Sequence, residues 1–157
     1  MKKLVKACVF TIVLFMPVCL LAQSDSLKLI CPLNDATVVP PPKNQIKLDQ
    51  EDLCIVLIST PDSVVKAIGA GRITNIEYTE ESGNGVVLFS RINGKEYYFW
   101  YTGMNKLLVR RNDAVKVGQP IGYVTPGERI ELTMYEFETP IDPLKHLSCK
   151  QVIKRGF

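Results

Sequence analysis

The chain is 157 residues long, which suggests one domain. Its 19 basic residues exceed its 16 acidic ones by three, and Lys2, Lys3 and Lys6 carry that whole excess. Beyond them 16 basic residues face 16 acidic ones, a balance that argues against an electrostatic grip on nucleic acid or an anionic membrane.

The first 22 residues read as a secretory signal peptide. Lys2, Lys3 and Lys6 form the basic region, Ala7 to Leu21 is apolar, and Ala22 is a small residue ahead of polar Gln23-Ser24-Asp25. A retained anchor is the alternative. Export places the rest in the periplasm or outside the cell, with contact to a membrane only through an uncleaved signal. Of five cysteines, Cys8 and Cys19 leave with this segment. Cys31, Cys54 and Cys149 remain, and three thiols cannot all pair within one chain. Cys54 lies in an apolar run, so the expected bridge joins Cys31 to Cys149; three reduced thiols remain the alternative.

Residues 23–48 read as an extended, loop-like lead-in, with Pro32, Asn34-Asp35 and Pro40-Pro41-Pro42 blocking any continuous strand or helix. The domain proper is set at 49–148, with 149–157 as a tail. Glu51 to Ser59 is an apolar run of strand length. Val64 to Ile68, a glycine corner, and Arg72 to Thr79 follow as strands. Val86 to Ile92 and Lys95 to Thr102 flank Asn93-Gly94, the strongest short hairpin signal. Alternation along the second arm sends Tyr97, Phe99 and Tyr101 to one face, and Tyr98 and Trp100 to the other.

Leu107 to Val124 is the organising ribbon. Apolar groups at Leu107 and Val109, Val115 and Val117, and Ile121 and Tyr123 are separated by Asn112-Asp113 and Gly118-Gln119-Pro120 turns. Arg110-Arg111 within it reads as a solvated pair. Arg129 to Phe137 is the last long strand. Pro140 and Pro143 are expected to end regular structure, with Leu144 to Leu147 as at most one helical turn. The class is all-β, built from many short, glycine-cornered strands.

Several motifs in this order resemble a known family. They are Val65-x-Ala-x-x-x-Gly-x-Ile73, the aromatic strand Tyr97 to Tyr101, the ribbon Val109 to Gly122 and Ile141-Asp-Pro143. Together they resemble the lysostaphin-type, LytM-like peptidoglycan endopeptidases, over roughly residues 49–147. The resemblance implies an antiparallel β sandwich of the duplicated hybrid type. It also implies one zinc ion, held by His-x-x-x-Asp and the second histidine of a His-x-His pair. Further histidines would serve the water and the transition state.

At the equivalent positions this chain has Asp52, Val56, Gly103, Glu131 and Thr133. Its only histidine is His146, near the C-terminus, where it reads as a surface residue. One histidine cannot supply a site that needs two or three. The expectation is therefore a domain with no catalytic residues, no metal and no cofactor, binding a wall hydrolase, another envelope protein or peptidoglycan. Trp100, Tyr101 and Tyr135 are the candidate groove-binding residues, since such rings join apolar area to a polar tip. Asp52 and Glu131 are a candidate carboxylate pair. The ribbon also resembles the lipoyl/biotinyl hybrid motif of carrier and periplasmic adaptor domains. A carrier needs an exposed lysine on a hairpin tip, and Lys95 is the one lysine near such a turn.

Overall fold

The computed structural model describes residues 27–39, 53–59 and 61–152. The signal segment, Pro40-Pro41-Pro42 and Asp52 lie outside the described residues. In chain order the strands are β1 (Leu29–Ile30), β2 (Thr37–Val39), β3 (Ile55–Ile58), β4 (Val64–Lys66), β5 (Gly71–Thr79), β6 (Gly83–Ile92) and β7 (Lys95–Met104). There follow β8 (Lys106–Leu107), β9 (Ala114–Val115), β10 (Pro120–Tyr123), β11 (Arg129–Glu136) and β12 (Thr139–Ile141). A 3-10 turn at Pro143–Lys145 precedes β13 (Leu147–Ser148) and β14 (Gln151–Val152). Among the described residues no helix is long and apolar enough to cross a membrane.

The main sheet runs β14-β2-β3-β11-β7-β6-β5-β9, with β12 also paired to β11. A smaller sheet, β4-β10-β8, packs over it. Every long pairing is antiparallel, and the two parallel pairs, β1 with β13 and β2 with β14, involve short strands from the two ends of the described chain. The β6–β7 hairpin turns at Asn93 (φ 52°) and Gly94 (φ 79°), the left-handed pair that matches strand twist. Leu88 and Phe99 on its inner face meet Val65 and Ile121 of the small sheet in one fully buried core.

The ends of the described chain depart from the sequence reading. Residues 27–39 are not a loop: β1 and β2 lie here, and Leu27, Leu29, Leu33, Ala36 and Val38 are buried in the core. The expected tail contributes β14. Cys31 and Cys149 are bonded across a sequence separation of 118, while half-buried Cys54 takes no part in that bridge. Pro140 does not end regular structure but sits in β12, opposite Tyr135. It is tolerated because β12 pairs on one side, where a missing N–H costs no ladder bond. Val117, read as part of an apolar group, is exposed in a turn. His146 is half-buried rather than a plain surface residue, its Nδ1 3.1 Å from the Leu27 carbonyl oxygen.

Candidate functional site

Alternation on β11 buries Ile130, Leu132 and Met134 and turns Glu131, Thr133 and Tyr135 to the outer face. On β7 the buried set is Tyr97, Phe99 and Tyr101, and the outer set is Tyr98, Trp100 and Thr102. The register then builds a continuous surface. Glu131 lies between Val56 of β3 and Thr102 of β7; Thr133 faces Trp100, and Tyr135 faces Tyr98. Thus Val56, Glu131, Thr133, Trp100 and Tyr135, five positions picked from sequence, share one face.

Tyr101 does not. It was a groove candidate beside Trp100, but neighbouring residues on a strand point to opposite faces. Its ring is fully buried and its hydroxyl accepts the Ile68 N–H at 3.0 Å. Burial pushes its ionisation above the ordinary tyrosine range.

The two ends of the face differ in chemistry. One end is a cleft of about 780 Å³ that gathers Glu80, Glu81, Glu128 and Glu131 around Thr102 and Gly103. Among the described residues Arg129 is the one cation on its wall, 3.9 Å from Glu131. Sequence reasoning missed the first three acids, because Glu80-Glu81 reads only as a polar turn and its approach to Glu128 is tertiary. The other end is a hollow of about 630 Å³ holding Tyr98, Trp100, Tyr135 and Phe137.

Gly103 adjoins the acidic cleft with φ at +91°. A Cβ there would stand 2.5 Å from the Arg129 carbonyl oxygen and 3.1 Å from the Ile130 Cα. The position thus lacks a side chain and is also closed to one by the backbone of β11. Its N–H donates to the Ser82 carbonyl at 2.8 Å.

The side chains at the described positions do not fit a zinc ion. Val56 is apolar, Gly103 has no side chain, Thr133 offers a neutral hydroxyl, and Glu131 is a single carboxylate beside Arg129. Zinc sites draw on thiolate, imidazole and carboxylate donors arranged around one point. Among the described residues no three such groups converge. His146 is committed to the Leu27 carbonyl.

Lys95 is not a free hairpin tip. It ion-pairs with Glu136 at 2.7 Å, and Tyr97 donates to the same carboxylate at 3.4 Å. The Lys95–Glu136 bond raises the ionisation of Lys95 and lowers that of Glu136, while burial chiefly raises that of Tyr97. Arg111 is likewise engaged, its Nε donating to the Thr74 carbonyl at 3.0 Å.

A mainly antiparallel, nearly all-β domain of this kind has the architecture of LytM-like peptidases. The chain belongs to peptidase family M23, whose sequence model matches residues 54–143. Its fold is similar to that of Csd3 from Helicobacter pylori, at 18% identity and TM-score 0.62, over 83% of this chain and 36% of Csd3. It is also similar to a chain of the SpoIIQ–SpoIIIAH pore-forming complex, at 16% identity and TM-score 0.57, over 78% of this chain and 92% of that one. Lysostaphin in solution matches at 20% identity and TM-score 0.51, over 67% of this chain and 49% of its own. The chain therefore spans about half of lysostaphin. Comparison with curated protein sequences finds no match.

Proposed function

We propose that this protein is an exported, non-catalytic LytM-like domain that acts as a binding or regulatory module of the cell envelope. Its partner is a wall hydrolase, another envelope protein or peptidoglycan itself. The observation that carries the reading is Gly103: where the family resemblance asks for a histidine, the backbone of β11 leaves no room for any side chain. Glu131 and Thr133, in place of the His-x-His pair, support it from the facing strand. Export is supported by the N-terminal segment and by the Cys31–Cys149 bridge, a bond that persists in oxidising compartments.

A carrier role is less well supported, because Lys95 is held by Glu136. Asp52, the other half of the carboxylate pair read from sequence, lies outside the described residues, so acid–base chemistry with Glu131 has no geometry to rest on.

The test combines metal analysis with a digestion assay. The purified protein is expected to carry zinc well below one equivalent and to release no muropeptides from peptidoglycan sacculi. A chelator is expected to leave its melting temperature unchanged. Stoichiometric zinc or released muropeptides overturns the reading. Retention of sacculi or of a specific envelope protein from solubilised membranes, weakened in Trp100→Ala, Glu131→Ala, supports it.

A further inference from the structure

We propose that the aromatic hollow at the Trp100 end of the face is a saccharide site, taking the pyranose rings of a glycan chain. The inference rests on the reading of the domain as an envelope-binding module and names the ligand class of that face. Tyr98, Trp100, Tyr135 and Phe137 meet there, from β7, β11 and the turn after β11. Trp100 and Tyr135 stand 6.1 Å apart with planes tilted by 53°. Trp100 is 44% exposed and Phe137 61%, so these rings present apolar area that folding has left in water. Single exposed apolar residues are ordinary, whereas adjoining ones mark a contact surface.

Phe137 supplies a second, independent observation. It opens the two-residue turn between β11 and β12 at φ +54°, a left-handed position where glycine or asparagine relieves strain. Its N–H is held by the Glu96 carbonyl at 2.8 Å. A large ring at a strained, exposed position brings the fold neither backbone ease nor burial. Strain of this kind collects at ligand-contacting sites.

The chemistry of the hollow selects among ligands. Strands β6, β7 and β11 are interior to the sheet, so their main chains are already paired on both sides. A peptide laid over these three strands therefore finds no free ladder to extend, the usual route by which extended peptides dock on sheets. The open edges of β5 and β12 lie at the border of the hollow rather than across its aromatic floor. Arg111 and Glu138 place one charge of each sign on the rim, which gives no net grip on a phosphate backbone. What remains offered is ring faces bordered by polar side chains such as Asn75. A pyranose is the complement: an apolar C–H face ringed by neutral hydroxyls.

Trp100 is the only tryptophan in the chain, so its emission reports on the hollow directly. The purified protein is titrated with a hexamer of β-1,4-linked N-acetylglucosamine, which carries no peptide, and separately with a stem peptide free of sugar. Retention of intact sacculi and envelope proteins is measured alongside. The hexamer is expected to give a saturable emission change. Tyr135→Ala, which keeps the tryptophan, is expected to weaken binding about tenfold or more. Phe137→Gly is expected to weaken binding while raising the melting temperature, which a purely structural role for the ring does not produce. Tyr78→Ala, an exposed aromatic outside the hollow, leaves the titration unchanged.

Silence towards the hexamer at millimolar concentration overturns the saccharide site, and if sacculi or an envelope protein are still retained, the module reading stands without it. An emission change with the peptide alone also overturns it. Hexamer binding with no retention of any envelope component keeps the saccharide site and overturns the module reading.

Discussion

Gly103→Ala puts the closed position to a quantitative test. The alanine Cβ must enter space 2.5 Å from the Arg129 carbonyl oxygen and 3.1 Å from the Ile130 Cα, both main-chain atoms of β11. Two costs follow. Holding an L-residue at φ +91° costs about 1–2 kcal/mol, and forcing a packed neighbour aside costs about 1–3 kcal/mol more. The sum, about 2–5 kcal/mol, is a large part of the roughly 5–15 kcal/mol that stabilises an ordinary domain. Gly127 separates the two costs, since its φ is +87° and nothing lies within 4 Å of its added Cβ. Urea unfolding with linear extrapolation, under conditions that keep the disulfide, compares both variants with the parent. Gly127→Ala is expected to lose about 1–2 kcal/mol and Gly103→Ala a further 1–3 kcal/mol or so. Equal losses refute the reasoning. So does a Gly103→His variant as stable as the parent, because the position would then accept an imidazole and its loss would concern the side chain alone.

Tyr101→Phe removes the acceptor of the Ile68 N–H without changing shape, leaving a buried donor unpaired; a loss of about 1–3 kcal/mol in urea unfolding is expected, and none refutes the bond. The same tyrosine sets an alkaline limit. Its folded-state ionisation lies above the unfolded value, so its stabilising effect is full below pH ~10 and is lost as pH rises beyond it, by up to about 1.4 kcal/mol per pH unit. Melting temperatures above that pH should fall more steeply in the parent than in Tyr101→Phe, where only Tyr97 of these two keeps a raised ionisation; parallel curves refute this. Breaking the Cys31–Cys149 bridge frees a loop of 118 residues in the unfolded chain, so reduction or the double serine variant is expected to cost about 5 kcal/mol. An unfolding midpoint that is the same with and without reductant counts against the bridge.

Much of this protein was legible from sequence because its signals are local. Period-two alternation on β7 and β11 told the inner rings from the outer ones, and Asn93-Gly94 fixed the central hairpin with its register. The count of one histidine needed no fold at all to exclude a several-histidine zinc site. Alternation also contained the correction for Tyr101, since it cannot share a face with Trp100.

Tertiary structure decided whatever depends on contacts between distant parts of the chain. Strands β1, β2 and β14 are two or three residues long and exist through partners far away in sequence, so no local pattern marks them. The acidic cleft likewise needs the Glu80-Glu81 turn brought against Glu128 and Glu131. In sequence Gly103 reads only as the residue standing where the family resemblance has a histidine. Only the approach of β11 turns it into a position that no side chain can enter. Phe137 reads as the end of an apolar strand, and only the turn to β12 leaves its ring strained and exposed beside Trp100. Alternation and turn chemistry are written residue by residue, whereas closeness across a sheet arises only when the strands pair.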